Sequence, residues 1–104
     1  MTEFVKVGRT ADVQEGCVRR FVVDGTPVAV YHCKGGFKAT HDTCTHAEAS
    51  LSEGTFDCNA GTIECPLHGA RFQIATGKAL SMPAVTPVKC FPVEVRGDEL
   101  FVAV

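Results

Sequence analysis

At 104 residues, 45% of them apolar, the chain suits one compact domain with a buried core and leaves no room for a second catalytic module. A formal net charge of −2, no tryptophan and no basic run remove the electrostatic footprint of a nucleic-acid binder. No apolar stretch approaches the roughly 20 residues that span a bilayer, and Met1-Thr2-Glu3-Phe4-Val5-Lys6 lacks a basic region followed by an apolar one, so a soluble cytoplasmic protein without a membrane partner is expected.

Thr10 is a candidate cap for one helical turn over residues 11–15. Valine-rich segments 17–24 and 27–33 flank Asp24-Gly25, a strong hairpin signal, and a strand over 37–40 follows the turn at Lys34-Gly35-Gly36. From about residue 42 to 82 the character changes. A short helical turn over 47–52 and strands at 62–64 and 72–75 are separated by Gly54, Gly61, Gly69 and Gly77. Segments 88–96 and 99–104 flank Gly97-Asp98 as a second hairpin, with Phe91, Val93 and Val95 alternating. The expected architecture is all-β: one domain over 1–104, in which a loop-rich part at about 42–82 is inserted into an antiparallel framework of about 1–41 and 83–104. Val5, Val22, Val30, Phe91 and Phe101 are core candidates.

Six cysteines with no secretion signal favour metal binding or buried thiols over a disulfide scaffold. Their spacing is informative. Cys44-Thr45-His46 and Cys65-Pro66-Leu67-His68 are separated by eighteen residues, and two Cys/His pairs on two loops supply the four ligands of a closed site. The Cys-His-Cys-His order departs from the zinc-finger order of two cysteines then two histidines, which favours iron-sulfur over zinc.

Cys-x-His followed by Cys-x-x-His, with Thr45, Pro66 and Gly69 beside them, resembles the Rieske family over nearly the whole chain. The resemblance implies stacked antiparallel sheets with an inserted cluster-binding subdomain and one [2Fe-2S] cluster. Cys44 and Cys65 would ligate one iron, and His46 and His68 the other. It also implies a proline-containing loop over the cluster, for which Ser81-Met82-Pro83-Ala84 is suitably placed. High-potential members carry an additional, disulfide-bonded cysteine in each ligand loop, where this chain has Ala49 and Leu67. They also carry a serine and a tyrosine that donate hydrogen bonds to cluster sulfurs, where this chain has Ala70 and Phe72. Without those donors the reduced cluster is less stabilised, and the potential is expected near the bottom of the Rieske range, roughly −150 mV.

Low-potential, stand-alone members of this length resemble the ferredoxins of bacterial aromatic-ring-hydroxylating dioxygenases. The implied partners are a flavin-dependent ferredoxin reductase and a terminal oxygenase. No organic substrate is bound directly and no catalytic residue is assigned, since the chain lacks a second domain for a mononuclear iron site. A small Rieske subunit of a larger complex such as a nitrite reductase is the alternative, and would show an apolar docking patch. A zinc-stabilised binding module is a third reading.

The remaining candidates read as structural. Cys17, Cys33 and Cys90 lie in expected strands as small hydrophobes, whereas the role of Cys58, in a loop near the site, stays open. His41 could compete as a ligand, but a surface or supporting role fits better; His32 reads as a satisfied strand histidine. Gly54, Gly69, Gly77 and Pro83 read as turn formers. Residues 41–80 carry a net charge of −3, which suggests an acidic docking face.

Overall fold

A computed structural model describes residues 3–45, 48–67, 69–82 and 86–104, and its strands follow the turn chemistry closely. Asp24 and Gly25 both take positive φ, 49° and 81°, the two left-handed positions of a type I′ turn. They join β2 (Val18–Val23) to β3 (Thr26–Cys33), with Val23 opposite Thr26. A second two-residue turn, Lys34-Gly35, passes β3 to β4 (Gly36–His41). The small strands β5 (Thr55–Asp57), β6 (Thr62–Glu64) and β7 (Arg71–Gln73) form an antiparallel meander of their own.

The chain then returns through β8 (Cys90–Phe91), β9 (Val93–Arg96) and β10 (Glu99–Ala103). Residues 88–96 are therefore not one strand. Pro92 has no N–H to give a ladder, and there the chain changes sheets: β8 extends the order β2-β3-β4-β8, whereas β9 joins β1 (Phe4–Arg9) and β10 in the order β1-β10-β9. The change of partner turns Val95 outward to 46% exposure, so the expected alternation ends at Val93.

Because β3 is covered on both faces, its pleat feeds two cores. Val28 and Val30 pack with Val13, Val23, Ala39, Phe91, Leu100 and Val102, between the two framework sheets. Ala29 and Tyr31 point the other way, toward Leu51, Ile63, Phe72 and Ile74 of the small-sheet side. Tyr31 is fully buried; its hydroxyl shares a 2.8 Å hydrogen bond with Thr40 Oγ1, and its ring lies 5.2 Å from that of Phe56. Burial drives its pKa upward, so the phenol stays neutral.

Local expectations needed correction at several points. Thr10 begins a 3-10 turn (Thr10–Asp12) rather than capping it; Asp12 Oδ2 accepts the N–H of Arg9, 2.8 Å away, instead. The second turn is confined to Leu51–Glu53, and Ala47 lies outside the described residues. Val22, on an edge strand opposite Pro27, is 58% exposed and not core, while Val5 and Phe101 are half-buried and Val30 and Phe91 are buried. Cys33 and Cys58 are joined in a disulfide with Cα atoms 5.6 Å apart, a pairing that neither strand pattern nor spacing announced. Cys17 sits exposed before β2, and Cys90 is half-buried in β8.

Candidate metal centre

Two hairpin loops of matching construction carry the expected ligands. In the first, Thr43 and Ser50 face each other across an isolated bridge, and the Cys44 N–H donates to the Ala49 carbonyl at 2.9 Å. In the second, Glu64 pairs with Arg71, and the Cys65 N–H donates to the Ala70 carbonyl at 2.7 Å. Each cysteine thus starts a loop closed onto the residue five positions later. His46 and His68 fall inside these loops in sequence, but outside the described residues.

Cys44 and Cys65 are buried, at 4% and 1% exposure, within the core that contains Ile63 and Phe72. Their thiols lie against each other. Burial pushes the Cys65 thiol up, the Leu67 backbone N–H aimed at its sulfur works against that, and the Cys44 thiol adds to the rise. Two touching sulfurs in an apolar setting, one already receiving a backbone N–H, fit a cluster bound through thiolates, whose binding releases the thiol protons.

A third loop is tied to both. Thr45 Oγ1 donates to the Thr86 carbonyl at 2.7 Å, and Ser81 Oγ accepts from the Arg71 N–H at 3.1 Å. Of the expected loop at 81–84, Ser81 and Met82 are described, while Pro83 and Ala84 lie outside the described residues. Ala49 is half-buried, Leu67 is 45% exposed, and Ala70 and Phe72 are fully buried without a hydroxyl to offer.

Asp42 anchors the first loop and had no sequence signal beyond its position. It is 1% exposed, yet its carboxylate accepts the Ser52 N–H at 2.9 Å and lies 3.2 Å from Arg20 Nε of β2. Asp42→Ala should cost about 2–3 kcal/mol in denaturant unfolding, since Ser52 loses its acceptor while Arg20, half-exposed, can be rehydrated. His41 Nδ1 accepts the Thr43 N–H at 3.1 Å, a supporting role in the turn that leads to Cys44. His32 is held by a 2.7 Å hydrogen bond to Val13 O and stacks on Phe37. Gly54 and Gly77 do more than turn: a Cβ on either would overlap a backbone carbonyl, of Glu64 and Val88 respectively.

Paired loops that bring two cysteines together on a β framework, each loop with a histidine in its sequence, define a metalloprotein of the mixed thiolate–imidazole class. The chain belongs to the Rieske [2Fe-2S] domain family, whose model matches residues 3–92, and its cofactor is one Rieske-type [2Fe-2S] cluster. It is 46% identical over 101 residues to ferredoxin CarAc of Metapseudomonas resinovorans, covering 96% of this chain and 92% of that one. Among solved structures it resembles the ferredoxin of carbazole 1,9a-dioxygenase from Nocardioides aromaticivorans IC177 (TM-score 0.92, 37% identity, 95% of each chain). It is also similar to the ferredoxin chain in a complex of reduced oxygenase and oxidized ferredoxin in carbazole 1,9a-dioxygenase (TM-score 0.87, 47% identity, 96% of this chain and 92% of that one). No helix among the described residues is long and apolar enough to cross a membrane.

Proposed function

We propose that this chain is a cytoplasmic electron carrier, reduced by an NADH-dependent flavin reductase and reoxidised by the Rieske centre of a terminal ring-hydroxylating oxygenase. It performs no chemistry on the organic substrate. Support comes from the juxtaposition of Cys44 and Cys65 on two equally closed loops, in a chain whose full-length relatives are ferredoxins of such systems. Cys44, Cys65, His46 and His68 hold the cluster, the cysteines on one iron and the histidines on the other. When bound, the cluster supplies one-electron oxidation and reduction; the protein supplies the buried sulfurs, the Leu67 N–H and a surface for docking.

That surface is mixed in character. Leu67 in the second ligand loop and Leu80 and Met82 leading into the third are exposed by 45%, 46% and 75%. Leu80 and Met82 flank Ser81, which binds the start of β7. A few exposed apolar side chains amid polar ones suit a transient complex that forms and releases quickly. Charge contributes less than the composition implies, because Asp42 is buried against Arg20, and Glu64 pairs with Arg71 at 3.0 Å. Glu48 and Glu53 remain to attract a basic partner, whereas Asp57 lies at the other end of the small sheet, beside Cys58. Electron transfer to the oxygenase should therefore slow as salt rises from about 0.05 to about 0.5 M, followed by stopped-flow absorbance; a flat profile removes the electrostatic contribution.

The buried, hydroxyl-free Ala70 and Phe72 suit a low potential, suited to electrons from NADH through flavin rather than from quinol. The double variant Ala70→Ser with Phe72→Tyr should raise the midpoint by tens of millivolts or more, within the Rieske span of roughly −150 to +300 mV, by protein-film voltammetry. The decisive test of the reading is anaerobic purification. Two irons and two acid-labile sulfides per chain are expected, with a visible spectrum that dithionite bleaches, a reduced-state electron paramagnetic resonance signal, and reoxidation by the oxygenase. A colourless zinc protein would overturn it.

A further inference from the structure

Far from the cluster loops, the Cys33–Cys58 disulfide lies in a polar setting that a structural bridge does not require. Cys33 closes β3 and Cys58 follows β5, so the bridge links the framework to the small sheet. Cys58 and Cys65 stand beyond opposite ends of β6, a three-residue strand that spans about 10 Å.

Glu15 stands over the bridge. Its carboxylate is fixed by the N–H groups of Lys34 and Gly35, at 2.5 and 2.9 Å, and its Oε2 lies 4.0 Å from Cys58 Sγ. One Glu15 oxygen and the two sulfurs lie within 4.8 Å of one another. His32 stands outside this group: the pleat of β3 turns it to the face opposite Cys33, where its ring stacks on Phe37 and Nδ1 donates to the Val13 carbonyl at 2.7 Å, and its Nε2 lies 3.5 Å from Glu15 Oε1.

We propose that Cys33, Cys58 and Glu15 form a second metal site, which takes one zinc-class divalent cation, with a water as its fourth ligand, when the Cys33–Cys58 disulfide is reduced. The donor set, two thiolates and one carboxylate completed by water, suits tetrahedral zinc. Glu15 is ready for the role, since the Gly35 and Lys34 N–H groups hold its carboxyl below the usual carboxylate range.

The steps balance. A cellular dithiol gives two electrons and two protons to the bridge, breaking the S–S bond and leaving as its own disulfide. The cation then displaces the two thiol protons to solvent, while the Glu15 carboxylate binds without losing a proton. The link between β3 and the small sheet is a covalent bond under oxidising conditions and a metal bridge under reducing ones.

The test uses cluster-loaded protein, reduced anaerobically with a phosphine, desalted, and dialysed against zinc chloride alone. Alkylation and mass spectrometry should show two additional reactive thiols after reduction, and elemental analysis one zinc per chain with iron content unchanged. The zinc-edge X-ray absorption should show two sulfurs at about 2.3 Å and two nitrogen or oxygen atoms at about 2.0–2.1 Å. Cys58→Ser and, with both thiols kept, Glu15→Gln should each weaken zinc at least about tenfold, while Cys17→Ser should not. A bridge that resists reduction, zinc uptake equal with and without reduction, uptake indifferent to both ligand variants, or zinc entering at the expense of iron would each overturn the proposal.

Discussion

Cys65→Ser should yield a chain without its cluster: iron and acid-labile sulfide fall below about a tenth of wild type, and the visible spectrum disappears. The cost goes beyond a lost ligand. Cys65 is 1% exposed in the same core as Ile63 and Phe72, so the substitution places a hydroxyl where a thiol behaved as a small hydrophobe. Its N–H closes the second loop onto Ala70, and its sulfur meets that of Cys44, so a cluster held by both cysteines would cross-link the two loops. Binding free energy of this kind is folding free energy, of the order of 10 kcal/mol for structural zinc in small domains. The variant should therefore also melt earlier than wild type, and by more than a surface Cys17→Ser control. Full iron content in Cys65→Ser would show that the ligand lies elsewhere.

Gly77→Ala should be the most damaging methyl added at any glycine of the chain. Gly77 has φ of +78°, which an alanine adopts only with strain, and its Cβ would run into the Val88 carbonyl and stand 3.2 Å from Cys90 Sγ. The carbonyl, being backbone, cannot swing aside. The Val88 carbonyl belongs to the returning chain, whose N–H donates to the Gly77 carbonyl at 2.8 Å, so relief means separating the turn after β7 from the segment that leads to β8. Strain and overlap together should cost about 2–4 kcal/mol, a fall in melting temperature of the order of 10 °C or more for a domain of this size. Thermal unfolding of the loaded protein followed by circular dichroism checks it, with Gly16→Ala as a control: its φ is also positive, at +81°, but its added Cβ meets nothing within 4 Å. Equal losses in the two would mean that strain alone, and not the close approach, matters at Gly77.

How much of this was legible beforehand depended on whether the signal was local. The hairpin turns at Asp24-Gly25 and Gly97-Asp98 were readable because backbone handedness is written in the residues that tolerate it, and the strands beside them followed. The paired Cys/His spacing was readable for the same reason, since each ligand loop is a local structure. Pro92 was visible as a residue but not as a change of sheet, because β8 takes its partner from β4, far upstream in sequence, while β9 pairs with its neighbour β10. Asp42 looked like one more surface acid, and only the fold brings Arg20 and Ser52 to it. The Cys33–Cys58 pairing joins the end of β3 to the turn after β5, a meeting that no spacing rule reports.

The pairing of β1 with β10 has a consequence for how the chain is made. Phe4 lies opposite Ala103, so the first strand can complete its sheet only when the last has left the ribosome. The β2-β3-β4 hairpins and the β5-β6-β7 meander have near neighbours and can form during synthesis, while β1 waits with one edge open. In that order the loops around residues 44–68 are made well before the outer sheet can close.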